Sequence, residues 1–237
     1  MTAKTLDIST RLLSEVAWKR ILEASAAQLL HRKQKFFELL ASLEVLRKTA
    51  DYNTGSISAA AAWSLYSLVG YFGPQRILEV GTFIGRSTLA MALAADDFGI
   101  SAEIHTCDMS NSIELPTIAK TRIIQYQKQT STQMLQKLTA ANSGAKFEML
   151  YLDGRLQNED FPFLAKLCSS EVIVVCDDFE GHEKGVANLI NARNGGLIPR
   201  HILIYPPSET VLQKFGFCDH STTAFVLPQT ALRLTAQ

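Results

Sequence analysis

The sequence has no excess of charge of either sign: 23 lysines and arginines balance 23 aspartates and glutamates among 237 residues. It also has no basic run and no stripe of Arg and Lys with interleaved aromatic residues. Nucleic-acid-binding proteins carry such a basic surface because they must neutralise phosphates. The composition therefore predicts that nucleic acid is not a partner of this protein.

Long apolar runs are missing as well. The most apolar window, Ile57–Phe72, is rich in Ala and Ser and falls short of the ~20 residues that a membrane span needs. The N-terminal stretch MTAKTLDIST lacks the apolar core of a signal peptide. The four cysteines form no C-x-x-C pair, which favours reduced thiols over a zinc site or disulfides. Together these features predict a cytoplasmic protein without a membrane partner.

Glycine and proline are absent from the first 54 residues, where apolar residues recur at helical spacing. This pattern predicts two or three helices, which form an N-terminal helical segment or lid over residues 1–56. A second domain is predicted over residues 57–237. It begins with a helix near 57–71 that ends at the glycines and the proline of 70–74.

From Arg76 onward, apolar strand-like runs alternate with helical stretches. Runs that are apolar on both faces and separated by helices indicate a parallel sheet covered on both sides. The predicted fold is therefore α/β, with a doubly wound, mostly parallel sheet of seven strands. The predicted strands are 76–81, 103–108, 121–127, 147–153, 171–177, 201–206 and 223–228, and the helices between them lie near 87–97, 131–141, 158–168 and 183–193. Residues 109–120 are predicted to form a loop with a helical turn.

Four of the predicted strands end in or near a carboxylate. These residues are Glu79, Asp108, Asp153 and the pair Asp177–Asp178. In an open α/β sheet, ligands bind outside the carboxyl ends of the strands. We therefore expect these acids to converge on one rim of the sheet and to form the functional site.

The turn after the first strand, residues 81–87 with the sequence GTFIGRS, matches neither common phosphate-binding motif. Phe83 stands where the dinucleotide motif G-x-G-x-x-G has its second glycine, and no Gly-Lys-Ser/Thr ends the turn. The amides at a helix N-terminus favour a carboxylate or another anion. Asp108, at the end of the second strand, is placed to accept hydrogen bonds from ribose hydroxyls. The residues thus point to a nucleoside that carries an amino-acid tail.

Residues 77–87 resemble the first motif of class I S-adenosylmethionine (SAM)-dependent methyltransferases, and most of all the small-molecule O-methyltransferase branch. The resemblance covers about residues 50–228 and implies a Rossmann-like SAM-binding domain, in which residues 52–56 close over the cofactor. It implies that SAM is bound by Ser56, Glu79, Gly81, Thr82, Phe83, Gly85, Ser87, Asp108, Ser131, Thr132 and Asp153. By this resemblance Ser87 contacts the carboxylate of SAM, Asp108 holds the ribose, and Ser131 and Thr132 lie beside the adenine.

The resemblance also makes Mg²⁺ a candidate second cofactor. In cation-dependent members of the branch, acids at the ends of strands four and five hold magnesium, and Asp153, Asp177 and Asp178 stand at those positions. Three oxygen ligands suit a hard divalent ion. The match is partial, because Arg155 stands where related enzymes place an acid. The alternative is that Asp177 and Asp178 cap a loop or pair with Arg155 or Lys184.

Three functions are compatible with the sequence. The first is methyl transfer from SAM to an oxygen or nitrogen of a small-molecule metabolite, with Asp153, Asp177 and His182 as candidate catalytic residues. The second is cyclisation of SAM itself, in which the α-amine attacks the γ-carbon and gives azetidine-2-carboxylate and methylthioadenosine. The third is a partner protein that has lost its chemistry. The expected ligand is a small molecule or SAM alone, and a homodimer is a candidate assembly.

Overall fold

The computed structural model describes residues 3–52, 54–109, 113–117, 119–141, 144–179 and 184–230, with side chains from Thr10 onward. The strands are β1 (Arg76–Val80), β2 (Glu103–Asp108), β3 (Arg122–Gln127), β4 (Phe147–Leu152), β5 (Cys168–Cys176), β6 (His201–Ile204) and β7 (Ala224–Pro228). They form one sheet in the order β3-β2-β1-β4-β5-β7-β6. Strands β1 to β5 pair in parallel, whereas β7 lies antiparallel to both β5 and β6. The predicted seven-stranded, mostly parallel α/β sheet is confirmed.

Helices cover the sheet and precede it. They are α1 (Ala3–Ala24), α2 (Ala26–Ser42), α3 (Ala59–Phe72), α4 (Arg86–Asp97), α5 (Ser131–Ala141), α6 (Phe161–Leu167), α7 (Gly185–Asn194) and α8 (Glu209–Lys214), with short 3₁₀ helices at Leu43–Thr49 and Asn158–Asp160. Helix α3 begins where the Ser58 side chain accepts a hydrogen bond from the Ala61 amide at 3.0 Å. It ends at Gly73, whose amide donates to the Val69 carbonyl. Within the described ranges, no helix is long and apolar enough to cross a membrane.

The structure differs from the sequence prediction at three places. Helix α8 was not predicted, because six residues are less than two helical turns and show no clear periodicity. Strand β5 begins at Cys168, whereas the predicted strand begins at residue 171. The prediction missed this start because the residues that follow Cys168 are polar and partly exposed. The described part of residues 109–120 is a loop without the expected helical turn.

The sheet has a hydrophobic core on each face, because side chains alternate along its strands. On β4, Met149 and Tyr151 pack into the core under α3 and α4, whereas Leu150 and Leu152 pack into the core under α5, α6 and α7. All four side chains are fully buried. The sheet edge where the strands end is therefore the part of this layer left accessible to a ligand.

The N-terminal helices pack onto the first of these cores. The Trp18 indole donates a hydrogen bond to the Tyr205 carbonyl at 2.7 Å, and its ring meets Phe225 edge-on at 5.0 Å between centroids. The hydroxyls of Ser25 and Ser67 lie 2.6 Å apart in the interior. One hydrophobic core thus includes residues from both sides of residue 56. The division into a lid of residues 1–56 and a domain of residues 57–237 stays a prediction.

A pair of matched substitutions on α1 tests this continuity. Leu22 is fully buried and Leu12 is 64% exposed. We expect Leu22→Ala to lower the free energy of unfolding by about 2–5 kcal/mol, because it leaves a cavity in the shared core. Leu12→Ala, the control, should change it by less than about 0.5 kcal/mol. Urea unfolding followed by circular dichroism measures both, and a Leu22→Ala protein as stable as the wild type would contradict a shared core.

Candidate active site

The turn between β1 and α4 holds three residues with positive φ: Gly81 at 103°, Phe83 at 43° and Gly85 at 80°. A Cβ atom on Gly81 would lie 2.9 Å from the backbone nitrogen of Gly154, so only glycine fits there. A Cβ atom on Gly85 would overlap the Leu115 side chain. The two glycines that the sequence singled out are therefore required by the backbone itself.

Phe83 takes the left-handed conformation without being a glycine, and its contacts stabilise that conformation. Its amide donates to Oδ2 of Asp108 at 2.7 Å. Its buried ring stacks on Tyr52 at 5.5 Å and lies 4.9 Å from the guanidinium carbon of Arg47. Phe83 thus connects the turn to the end of β2 and to the N-terminal segment.

Glu79 lies beneath this turn and is fully buried. Its carboxylate accepts hydrogen bonds from the Ser87 hydroxyl at 2.5 Å and from the Thr88 hydroxyl, both in the first turn of α4. Burial raises the pKa of Glu79 to about 7, although these hydrogen bonds favour the charged form. The Ser87 hydroxyl, predicted to contact the carboxylate of SAM, is therefore engaged with Glu79.

Asp108 lies at the end of β2, beside a small cavity that Thr82 and Gln127 also line. Besides the Phe83 amide, it accepts a hydrogen bond from the Tyr52 hydroxyl at 2.6 Å. Burial and the neighbouring Asp108 raise the pKa of Tyr52, so this hydroxyl remains a donor. Each carboxylate oxygen has two lone pairs and can accept more than one hydrogen bond.

Ser131 and Thr132 stand at the start of α5, and Asp160 holds both. The Ser131 hydroxyl donates to Oδ2 of Asp160 and the Thr132 hydroxyl donates to Oδ1, each at 2.6 Å. Asp160 is fully buried. The sequence did not identify Asp160, because nothing in its local pattern separates it from a surface acid. The loop before α5 does reach the site, since the Gln129 amide donates to the Asp108 carbonyl at 3.1 Å.

Ser56 belongs to a charged network that the sequence analysis missed. Its hydroxyl accepts hydrogen bonds from Arg47 at 3.0 Å and from Arg86 at 3.3 Å. Both guanidinium groups also pair with Glu44, at 2.8 and 3.3 Å respectively. Ser56, Arg86 and Ser87 line one cavity with the turn and Asp153. Because the members are far apart in sequence, no local motif indicates them.

The remaining acids line an open cleft of about 660 Å³ at the ends of β4 and β5. The Lys184 Nζ lies 2.8 Å from Oδ2 of Asp178 and 3.6 Å from Oδ1 of Asp153. Asp177 accepts hydrogen bonds from the hydroxyls of Thr222 at 2.7 Å and Thr223 at 3.2 Å. The alternative pairing of Asp178 with Lys184 is thus confirmed.

Burial makes two of these acids, Asp153 and Asp177, easier to protonate. It raises the pKa of Asp153 to about 8, and the neighbouring Asp177 charge adds to this effect. It also raises the pKa of Asp177, although the threonine hydroxyls oppose the shift. The third candidate catalytic residue, His182, lies outside the described residues, so its role stays a prediction.

Solved structures with the same fold include two proteins with a bound ligand. The O-methyltransferase from Bacillus cereus, in complex with SAH (S-adenosylhomocysteine), is 16% identical, with a TM-score of 0.53, and the alignment covers 89% of this chain and 98% of that one. Cofactor-bound Rv0187 from MTB is 17% identical, with a TM-score of 0.50, and the alignment covers 79% of this chain and 88% of that one. At these identities the likeness shows the fold alone. No curated protein matches the chain.

A sequence model described as O-methyltransferase matches residues 32–168, which is more than half of the chain. The chain belongs to the O-methyltransferase family. It is accordingly a SAM-dependent methyltransferase. The match spans the turn, Asp108 and Asp153, and it ends at the first residue of β5. Asp177, Asp178 and Lys184 lie beyond it.

The acids of this O-methyltransferase do not fit magnesium as they are arranged. Among the residues that the structure describes, no group of three or more His, Cys, Asp or Glu is placed to hold a metal ion. The Lys184 ammonium pairs with both Asp153 and Asp178, and threonine hydroxyls hold Asp177. The three predicted metal ligands therefore share one cleft, but one carboxylate oxygen of each is engaged with an ammonium or with hydroxyls.

The buried Glu79 predicts a pH dependence of stability. Its folded pKa of about 7 exceeds the ordinary value of 4.5, so between these values the folded enzyme binds a proton that the unfolded chain releases. The unfolding free energy of the wild type, relative to Glu79→Gln, should therefore fall by about 3 kcal/mol from about pH 4 to about pH 8.

Urea unfolding at these two pH values measures the difference. Glu23→Gln, at an exposed position of α1, is the matched control and should follow the wild type at both. A Glu79→Gln protein whose stability relative to the wild type is the same at both pH values would show that Glu79 titrates normally.

Proposed function

We propose that this O-methyltransferase transfers the methyl group of SAM to a hydroxyl oxygen of a small molecule bound in the 660 Å³ cleft. The observation that carries the proposal is that Asp153 lines two neighbouring cavities. The cavity at the turn and the acidic cleft share Ser56, Ile57 and Asp153 as lining residues. A donor bound over the turn and an acceptor bound in the cleft would therefore meet beside the Asp153 carboxyl group.

The predicted SAM ligands support a donor site on the turn side of this junction. When bound, SAM supplies a methyl group on a positively charged sulfur. Asp108 is positioned to accept the ribose hydroxyls, and Phe83 fixes that carboxylate through its amide. We retain as proposed SAM-binding residues Ser56, Glu79, Gly81, Thr82, Phe83, Gly85, Ser87, Asp108, Ser131, Thr132 and Asp153.

Two arginines support a position for the amino-acid tail of SAM near Ser56. Arg86 lines the turn-side cavity with Ser56, and Arg47 reaches the same Ser56 hydroxyl. One carboxylate, Glu44, pairs with both guanidinium groups. The carboxylate of the SAM tail carries the complementary charge.

The residues that line the cleft are the proposed site for the acceptor. Asp153 and Asp177 are the proposed proton acceptors for the attacking hydroxyl, with His182 as a further candidate. The role proposed for the fold is to hold the acceptor oxygen and the methyl carbon in line, which is the main contribution that a protein makes to such a displacement. Since the acids do not fit Mg²⁺, no step depends on a metal.

The remaining expectations from the sequence stand as proposals. We propose that the enzyme works in the cytoplasm on a small-molecule metabolite. Its cysteines support a reducing compartment, because all four are free thiols and three of them are buried. The homodimer stays a prediction.

Product analysis tests the proposed reaction. Purified enzyme is incubated with methyl-labelled SAM, with and without a panel of phenols and hydroxy acids, and the products are identified by mass spectrometry. We expect SAH and a labelled methyl ether to appear together, and only when an acceptor is present. Methylthioadenosine formed from SAM alone would contradict methyl transfer and support cyclisation.

Calorimetry tests the proposed ribose contact. Asp108→Ala should weaken SAH binding about tenfold to a hundredfold, because it removes a charged hydrogen-bond acceptor. Asp51→Ala, which removes an exposed acid next to the N-terminal segment, is the control and should bind SAH like the wild type. Equal affinities of the wild type and both variants for SAH would show that the nucleoside does not bind at Asp108.

A further inference from the structure

We propose that Lys184 takes the place of a divalent cation in the acceptor cleft, where its ammonium binds the ionised oxygen of an acceptor with one acidic hydroxyl, such as a phenol. The proposal rests on the proposed function and adds to it a binding residue and a substrate class. The proposed substrate class does not include acceptors that bind through two neighbouring oxygens to a metal ion.

The position of the ammonium carries the argument. Lys184 Nζ pairs with carboxylates that follow two adjacent strands, Asp153 after β4 and Asp178 after β5, at 3.6 and 2.8 Å. These acids were the predicted ligands of the metal. Lys184 therefore supplies positive charge among the same carboxylates that a cation would use, and its side chain is 31% exposed toward solvent.

The backbone fixes Lys184 in this place. Its neighbour Gly185 begins α7 directly against the end of β5, where a Cβ atom would lie 2.6 Å from the Asp177 carbonyl oxygen. Asp178 has a positive φ of 52°, which is uncommon for a residue other than glycine. The close approach of α7 and the bend at Asp178 together bring the lysine and the carboxylate into contact.

The single charge of the ammonium determines the substrate class. Lys184 Nζ is at hydrogen-bond distance from Asp178, at 2.8 Å, whereas Asp153 at 3.6 Å interacts with it through charge alone. Lys184 lines the cleft, and among the described residues no third carboxylate pairs with it, so the ammonium can donate to an acceptor oxygen. A magnesium ion offers several coordination positions and can hold two oxygens of a diol at once. One ammonium with one positive charge suits a single oxyanion.

The reaction balances without a further reagent. The acidic hydroxyl loses its proton to one of the proposed acceptors, Asp153 or Asp177, which line the same cleft, and binds as an oxyanion beside Lys184. A lone pair of that oxygen forms the new bond to the methyl carbon, while the carbon–sulfur bond breaks and its electron pair stays on sulfur. The products are the methyl ether and SAH. Lys184 keeps its protons throughout and acts by binding the oxyanion.

The test compares 4-nitrophenol, which has one acidic hydroxyl, with 4-nitrocatechol, which has a chelating pair. Methyl transfer is assayed with a chelator and with added Mg²⁺. We expect the rate with 4-nitrophenol to change less than about twofold between the two conditions, and 4-nitrocatechol to gain no advantage from Mg²⁺. Loss of activity in chelator and its recovery with Mg²⁺ would overturn the proposal.

A binding measurement separates the role of Lys184 from the reaction. With SAH in place of SAM there is no turnover, and the absorbance of the nitrophenolate reports how much of the bound 4-nitrophenol is ionised. Wild-type enzyme should hold it ionised at a pH about one unit lower than Lys184→Met does. Lys184→Met should also lower kcat/KM about tenfold to a hundredfold, and Lys184→Arg should restore part of both properties.

The control is Lys214→Met, which removes an exposed lysine of α8 and should match the wild type. Unfolding midpoints show that each variant is folded. The same ionisation of bound 4-nitrophenol in wild type and Lys184→Met, or no binding by the wild type, would overturn the role of Lys184. Methylthioadenosine from SAM alone would instead contradict the proposed function, so the two failures are distinguishable.

Discussion

The structure depends on keeping several carboxyl groups together at one edge of a sheet, where like charges repel and two of the groups, Glu79 and Asp177, are buried. Each acid has a different partner. Glu79 accepts hydrogen bonds from α4, and Asp108 accepts them from Phe83 and Tyr52. Asp177 is held by threonine hydroxyls, while Lys184 neutralises the acids beside it. Because a buried charge without a partner is costly, these contacts determine where the turn, Tyr52 and the start of α7 can lie.

The N-terminal segment takes part in the same arrangement. Tyr52 reaches Asp108 and stacks on Phe83, while Arg47 contacts the Phe83 ring and Ser56. The helices before them are anchored in the hydrophobic core through residues such as Trp18. Packing in the core thereby positions the side chains of Arg47 and Tyr52 over the turn between β1 and α4, beside the proposed binding site.

The sequence predicted the fold well, because strands apolar on both faces leave few alternatives to a covered parallel sheet. It also predicted that Glu79, Asp108 and Asp153 converge, since parallel strands end at one edge. It did not predict most of their partners. It also missed Asp160, which resembles a surface acid, and Arg47, which lies far in the chain from the Phe83 ring that it contacts, so neither forms a local pattern. The hydroxyls of Ser131 and Thr132 likewise pair with Asp160, a tertiary contact that motif spacing does not encode.

The central claim is that the turn holds the donor and that Lys184 faces the acceptor, with Asp153 between them. A crystal structure of the enzyme with SAH and 4-nitrophenol, grown with Mg²⁺, tests it most directly. The account predicts ribose hydroxyls on Asp108, the SAH sulfur beside Asp153 and the phenolate oxygen within hydrogen-bond distance of Lys184 Nζ. A metal ion bound among the acids with Lys184 displaced, or a nucleoside away from Asp108, would contradict it.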